Sequence, residues 1–403
     1  EGDGKAQPEE DPEVRRPAVP DGLMGRRQIP KRTQNAWGFF CVPRQAHKEV
    51  VMNTLTEYAH TIKLPDQKTY QAAWDRLREQ ARPEGSLGKL EDLSARLAGI
   101  RKTLDVRLEK KVIVTCAGDH GVVAEGISLF PQEVTPQMVH AFVSNGASIN
   151  VLAKHAGAEV LVADLGVNCD FDPALPIVHT KVRKGTRNMA QGPAMSREEA
   201  EQSIWAGIEI VDQLADQGLD MLGTGDMGIG NTTPSTAIIA AFSGLPVAKL
   251  TGRGTGLDDE RLAHKIRVIE QALAVNRPDP RDPVDVLAKV GGLEIGGLAG
   301  LVIGAAAHGI PVVCDGFIAT AGALIGCEIA PRAKEYLFPS HRSVEIGHAY
   351  MHERLGLDPI LDLQFRLGEG TGAAVAMELL DAATRILADI KTFTELKVSG
   401  AQE

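Results

Sequence analysis

Three glycine-rich segments hold the residues whose types and spacing suit chemistry. The first is Gly223-Thr224-Gly225-Asp226-Met227-Gly228-Ile229-Gly230-Asn231-Thr232-Thr233-Pro234. Its glycines let the backbone approach a ligand closely, and Asn-Thr-Thr-Pro is a helix start. Loop amides leading into a helix N-terminus suit a phosphate or carboxylate, with Asp226, Gly228, Gly230, Asn231 and Thr232 as candidate contacts. The plainer reading is a tight strand–helix turn capped by Asp226. No Gly-Lys-Ser/Thr follows, so it is not a P-loop, but Gly223, Gly225 and Gly228 fit the letters GxGxxG and keep a Rossmann-type oxidoreductase as a rival.

The second segment is Arg366-Leu367-Gly368-Glu369-Gly370-Thr371-Gly372, where Glu369 is the one acid in a glycine-rich loop that opens onto an apolar helix. Lost hydration there raises a carboxylate towards the range of a general base. The alternative is a first-turn acid favoured by the helix dipole. The third segment, Thr251 to Gly256, leads into Asp258-Asp259-Glu260, and Lys265 lies two helical turns past Asp258 on the same face. Such a lysine meets a phosphate as a point charge, or is simply solvated. The loop from Asp119-His120-Gly121 to Gln132 mixes polar groups with Leu129 and Phe130, which suits a flat aromatic ligand or an ordinary packed connection. His348 and His352 share a helix face but have no third ligand nearby in sequence, so no metal site is expected. No Gly-x-Ser-x-Gly elbow supports a hydrolase.

These segments need a frame. Val112–Ala117, Val160–Asp164, Met221–Thr224 and Pro311–Asp315 read as buried strands, each followed by helical sequence, including a helix near Pro136 to His155. Alternation of this kind implies an α/β fold, a parallel sheet flanked by helices (Rossmann-like). Gly with Asp marks every strand end, as in Gly118-Asp119, Asp164-Leu165-Gly166, Gly225-Asp226 and Asp315-Gly316, so ligands are expected on that edge. Helical patterns over Asp66–Leu97 and Thr371–Ile390 flank the sheet region. The Gly- and Ala-rich runs Ile295–Ala307 and Gly316–Cys327 read as close-packed buried helices. Residues 1–51, with five prolines before Lys31, are expected to be a disordered or non-core N-terminal extension.

Composition narrows the function. A net charge of −10 disfavours a polyanion-binding surface, and 4% aromatic residues disfavour stacking platforms, so no nucleic-acid partner is expected. No run reaches the roughly 18 apolar residues of a membrane span, and the sequence shows no apolar leader. Five scattered cysteines without CxxC spacing suit a reducing, cytoplasmic setting.

Gly118-Asp119-His120-Gly121-Val122, Ser128 to Thr135, Gly225 to Pro234, Thr251 to Gly256 and Arg366 to Ala374 together resemble the nicotinate-nucleotide–dimethylbenzimidazole phosphoribosyltransferase family. The resemblance runs in order from about residue 54 to 395. It implies transfer of the phosphoribosyl group of nicotinate mononucleotide to 5,6-dimethylbenzimidazole, giving α-ribazole 5′-phosphate and nicotinate in the assembly of the cobalamin nucleotide loop. It implies no cofactor, and a homodimer. A small helical domain would form from both ends of the core, 52–110 and 361–403, around an α/β catalytic domain over 111–360. Glu369 falls on the family's general base, and Lys265 and Ser343 fall in its nucleotide pocket with Leu367 and Gly368. The base-binding loop falls on Ser128, Phe130 and Gln137. Asp226 stands where the best-known members carry Glu, one methylene longer. A catalytically silent base- or nucleotide-binding paralogue is the non-enzymatic alternative.

Overall fold

The computed structural model describes residues 54–254 and 256–399, so the N-terminal extension lies outside the described residues. Among the described residues, six parallel strands form one sheet in the order β3-β2-β1-β4-β5-β6. They are β1 Lys111–Gly118, β2 Ala158–Gly166, β3 Val178–His179, β4 Met221–Met227, β5 Val312–Cys314 and β6 Leu337–Pro339. Every residue of β1 is buried, as expected of a central strand rich in β-branched residues and covered on both faces. The chain starts at the centre, builds outward through β2 and β3, then returns to the other side of β1. That reversal opens a crevice beyond the carboxyl ends of β1 and β4, where ligands of such sheets bind.

The four strands read from the sequence are present, and two more flank them. β3 and β6 have two and three residues and lie at the two edges of the sheet. The single helix expected near Pro136 to His155 is two helices, Val134–Val143 and Ser148–His155. Asn145 adopts the left-handed conformation (φ +59°) ahead of Gly146 and turns the chain between them.

One face is closed by the Leu293–Ala307 helix, which packs against the Arg197–Asp216 helix with backbone touching backbone. A Cβ on Gly300 would lie 1.9 Å from the carbonyl oxygen of Ile204, and one on Gly207 2.0 Å from that of Gly297. The Arg197–Asp216 helix starts at a reciprocal capping box between Ser196 and Glu199. Helices from the two ends of the described chain meet. Ser94, in the Lys89–Arg101 helix, donates to the Ala383 carbonyl of the Thr371–Asp389 helix (2.6 Å), and the Gln80 amide donates to Ile386 O (2.8 Å). No helix among the described residues is long and apolar enough to cross a membrane.

Candidate active site

The site is assembled where β1, β4 and β5 end. Within β4, a Cβ on Gly225 would fall 2.4 Å from the Glu369 carbonyl oxygen, so the Glu369 loop lies directly on the strand. Three bonds pin that loop: Glu369 N–H donates to Asp226 O (3.1 Å), Thr115 Oγ1 donates to Glu369 O (2.9 Å), and Gly370 N–H donates to Asp315 Oδ2 (3.0 Å). Asp315 Oδ1 also accepts from Gly372 N–H (2.7 Å) and Ala373 N–H (3.1 Å). The acid at the start of the Thr371–Asp389 helix is therefore Asp315, brought in from β5, and Glu369 does not cap its own helix. In the sequence, Asp315 stands out only as another Asp-Gly at a strand end.

Glu369 has φ +64°, a region that residues with a side chain seldom occupy. The bonds on either side hold it there, and such local strain is typical of functional positions. Its Oε2 accepts from Ile149 N–H (3.1 Å) at the start of the Ser148–His155 helix, and the residue is 4% exposed. Burial raises its pKa above the usual glutamate value; the Ile149 amide opposes this and the Asp315 charge adds to it.

Asp226, the last residue but one of β4, is buried. Its Oδ2 accepts from the Asn231 side-chain amide (3.0 Å), not from a helix N–H, so the cap reading fails. Gly368, at φ +82°, lies against this carboxyl, with an added Cβ 3.0 Å from Oδ2. Burial first, then the Asp315 charge, drive the Asp226 pKa well above the ordinary aspartate value. The GxGxxG match also dissolves. Gly223 and Gly225 lie inside β4, packed on Ile113 and on the Glu369 backbone, where no dinucleotide can reach.

A cavity opens above these groups. Ser128, Asp226, Gly228, Gly230, Asn231, Thr232, Lys265, Ser343, Leu367 and Gly368, all expected site residues, line it together. Arg253 and Arg366, from the other two glycine-rich segments, line it too, as does Glu345, which nothing in its local sequence marks. Lys265 is 1% exposed rather than solvated, and its Nζ donates to Thr232 Oγ1 (2.7 Å). Burial lowers its pKa from 10.5 to about 8, with Glu345 holding it up against a larger fall.

A second cavity of about 560 Å³ shares Gly254, Arg366 and Leu367 with the first. Phe130, Leu152 and Phe365 give it apolar walls, and Ser148 and Thr371 bring it up to the Glu369 loop. Glu369 itself lines neither cavity; its carboxylate rests on Ile149, next in the chain to Ser148. Gln137 is exposed on the Val134–Val143 helix and lines neither cavity. Gln132, in the same loop, donates to His120 O (3.2 Å) and accepts from the Asn168 amide (3.1 Å). His348 has both ring nitrogens engaged, with Nδ1 accepting from Ser343 N–H (3.0 Å) and Nε2 at 2.8 Å from Thr320 Oγ1. No group of three or more metal-ligating side chains comes together among the described residues.

Comparison with known proteins gives the chain a family. A family model described as "Phosphoribosyltransferase" matches residues 62–398. The "Nicotinate-nucleotide--dimethylbenzimidazole phosphoribosyltransferase" of Geotalea uraniireducens is 57% identical over 348 residues, 86% of this chain and 99% of that protein. The protein of the same name from Syntrophobacter fumaroxidans is 58% identical over 337 residues, 83% and 96%. Among solved structures, the corresponding enzyme of Thermus thermophilus superposes with a TM-score of 0.79 at 44% identity, covering 83% of this chain and 100% of that one.

Proposed function

This chain belongs to the phosphoribosyltransferase family, and we infer from that premise that it carries the phosphoribosyl group of nicotinate mononucleotide to 5,6-dimethylbenzimidazole. The products are α-ribazole 5′-phosphate, used in building the cobalamin nucleotide loop, and nicotinate. The chemistry asks for three things: a grip on the phosphate, a flat apolar slot for the base, and a proton acceptor between them. The pinned Glu369 loop, set between a polar cavity and an apolar one, is the observation that carries the reading.

In the proposed mechanism, Lys265, Thr232 and the amides around Gly228–Asn231 hold the 5′-phosphate and orient the ribose. The base lies in the slot bounded by Phe130, Phe365 and Leu367. Dimethylbenzimidazole is a weak nucleophile while one ring nitrogen keeps its proton. Glu369 accepts that proton as the opposite nitrogen bonds to the anomeric carbon. The bond from that carbon to the pyridinium nitrogen breaks, and its electron pair leaves with nicotinate. Attack opposite the leaving group converts the β linkage to α. A raised carboxyl pKa makes Glu369 a better acceptor than an exposed glutamate.

We further propose that the enzyme is a homodimer working in the cytoplasm. Exposed apolar side chains beside the site, Val344, Ile346, Leu363 and Leu367, support the first, and the free thiols of Cys116, Cys169, Cys314 and Cys327 support the second. The small helical domain is likewise a proposal, supported by the contact between the Lys89–Arg101 and Thr371–Asp389 helices. Incubation with nicotinate mononucleotide and dimethylbenzimidazole tests the reaction. The parent should form α-ribazole phosphate and Glu369→Gln almost none; a folded parent that forms none with this or any related base overturns the reading.

A further inference from the structure

The Gly118-Asp119-His120-Gly121 motif contributes no group to the mechanism above, yet its histidine is buried at the crevice. His120 is 1% exposed, and its Nε2 lies 2.8 Å from Oε1 of Glu294, which is fully buried. Glu294 sits in the first turn of the Leu293–Ala307 helix, the one locked backbone to backbone against its neighbour. The glycines around the pair leave it room: a Cβ on Gly292 would lie 2.6 Å from both His120 Cε1 and Glu294 Oε2, and one on Gly118 2.8 Å from Glu294 Oε2. Burial alone would push the His120 pKa down, but the adjacent Glu294 carboxylate outweighs it and raises it, which favours the charged form of the ring. A buried ion pair contributes little net stability against an apolar replacement, so its presence asks for another reason.

The ring supplies one. A Cβ on Gly228 would lie 3.3 Å from His120 Nε2 and 2.3 Å from Gly118 O, so the first turn of the phosphate loop rests on the imidazole and on the end of β1. Gly228 O accepts from Asn231 N–H (3.1 Å), Asn231 holds Asp226 (3.0 Å), and the adjacent Thr232 holds Lys265 Nζ (2.7 Å). By contrast, the base loop is tied to the His120 backbone, whose carbonyl accepts from Val123 N–H (3.1 Å) and the Gln132 side chain (3.2 Å). The ring and the backbone of one residue thus face two different loops.

We propose that the His120–Glu294 pair is a positioning device for the nucleotide, fixing the height of the Gly228–Asn231 turn above the sheet while leaving the base slot to the backbone. Asp119, directly after β1, and Asp226, on β4, are the other charged groups facing the pair among the described residues. The inference rests on the phosphoribosyl-transfer reading, since it takes the Gly228 loop to hold the nucleotide's phosphate.

The test compares the parent with His120→Gln, Glu294→Asp and His120→Gln/Glu294→Gln. Calorimetry reads the Kd for nicotinate mononucleotide, and steady-state kinetics read kcat and the KM for the base. Glu294→Asp keeps the charge and draws the ring back by one methylene, so it tests the idea even if an uncompensated single variant fails to fold. Glu294→Asp and His120→Gln should each weaken nucleotide binding by about tenfold, as expected when a contact shell shifts by a fraction of an ångström. The double variant replaces the ion pair by neutral amides and should recover to within about threefold of the parent. The base KM and kcat at saturation should stay within about twofold throughout. Parent-like nucleotide binding in both Glu294→Asp and His120→Gln overturns the proposal, as does an equal loss for nucleotide and base. A parent that binds nicotinate mononucleotide but forms no product would sink the reaction and leave this proposal decided by the binding data.

Discussion

Lys265 gives the most quantitative prediction. It is a cation held at 1% exposure that donates to a neutral hydroxyl, and its pKa falls from 10.5 to about 8. At about 1.4 kcal/mol per tenfold change in proton affinity, keeping this charge in the empty enzyme costs about 3 kcal/mol at neutral pH. The sign follows from linkage. The unfolded lysine holds its proton more tightly, so the penalty is full below pH 8 and fades as pH rises towards 10.5, where both states become neutral. Lys265→Met keeps the length and removes the charge. In the absence of nucleotide it should raise unfolding free energy at pH 7 by up to about 3 kcal/mol, and the gap should close above pH 10. The same change should weaken nicotinate mononucleotide binding by about ten- to a hundredfold, since a charged hydrogen bond to phosphate contributes about 1.5–3 kcal/mol. Denaturant unfolding of both proteins at several pH values, with calorimetry of the nucleotide, measures both effects. A variant that is less stable than the parent at pH 7, or a gap that does not vary with pH, would refute the account of Lys265 as a charge stored for the phosphate.

Other perturbations follow from the same geometry. The acid limb of kcat/KM should sit above the ordinary glutamate pKa, because activity is lost as pH falls through the raised pKa of Glu369, and Glu369→Gln should abolish that limb along with turnover. Gly225→Ala would put a methyl 2.4 Å from the Glu369 carbonyl, so we expect activity to fall by about a hundredfold or more while circular dichroism stays native. Asp226→Asn should unfold within about 1 kcal/mol of the parent, since the buried carboxyl is pushed towards its neutral form and the amide keeps a contact with Asn231; Asp226→Ala should cost more in a thermal melt.

The sequence was informative where one short stretch holds both the signal and the contacts it serves. Glu369, Asp226 and the turn to Thr232 can be read from glycine spacing, because the glycines are needed for the contacts they make. Central strands such as β1 announce themselves as unbroken buried runs. Edge strands of two or three residues do not, and neither does the break at Asn145, which depends on one residue adopting a left-handed backbone. Local pattern alone leaves Lys265 looking solvated, because what buries it comes from the Thr232 turn and the Gly254 loop. Asp315, Glu345 and Glu294 were hidden for the same reason: each acts on a segment 50 or more residues away. Gln137, assigned to the base loop by its motif, is exposed on its helix, so its place in the site depends on what the base slot holds.

The glycine contacts between the Leu293–Ala307 and Arg197–Asp216 helices bear on substrate traffic. Two helices seated with carbonyls against α-carbons have no side-chain cushion to compress, so neither can tilt or slide without a steric collision. A hinge through the middle of the sheet layer is thereby closed off. Loading a nucleotide and a base, and releasing a larger product, must be carried by the loops above the strand ends, moving over a floor that stays still. Amide exchange would then divide the molecule sharply, slow along the two helices and fast from Ser128 to Phe130 and from Gln364 to Gly368.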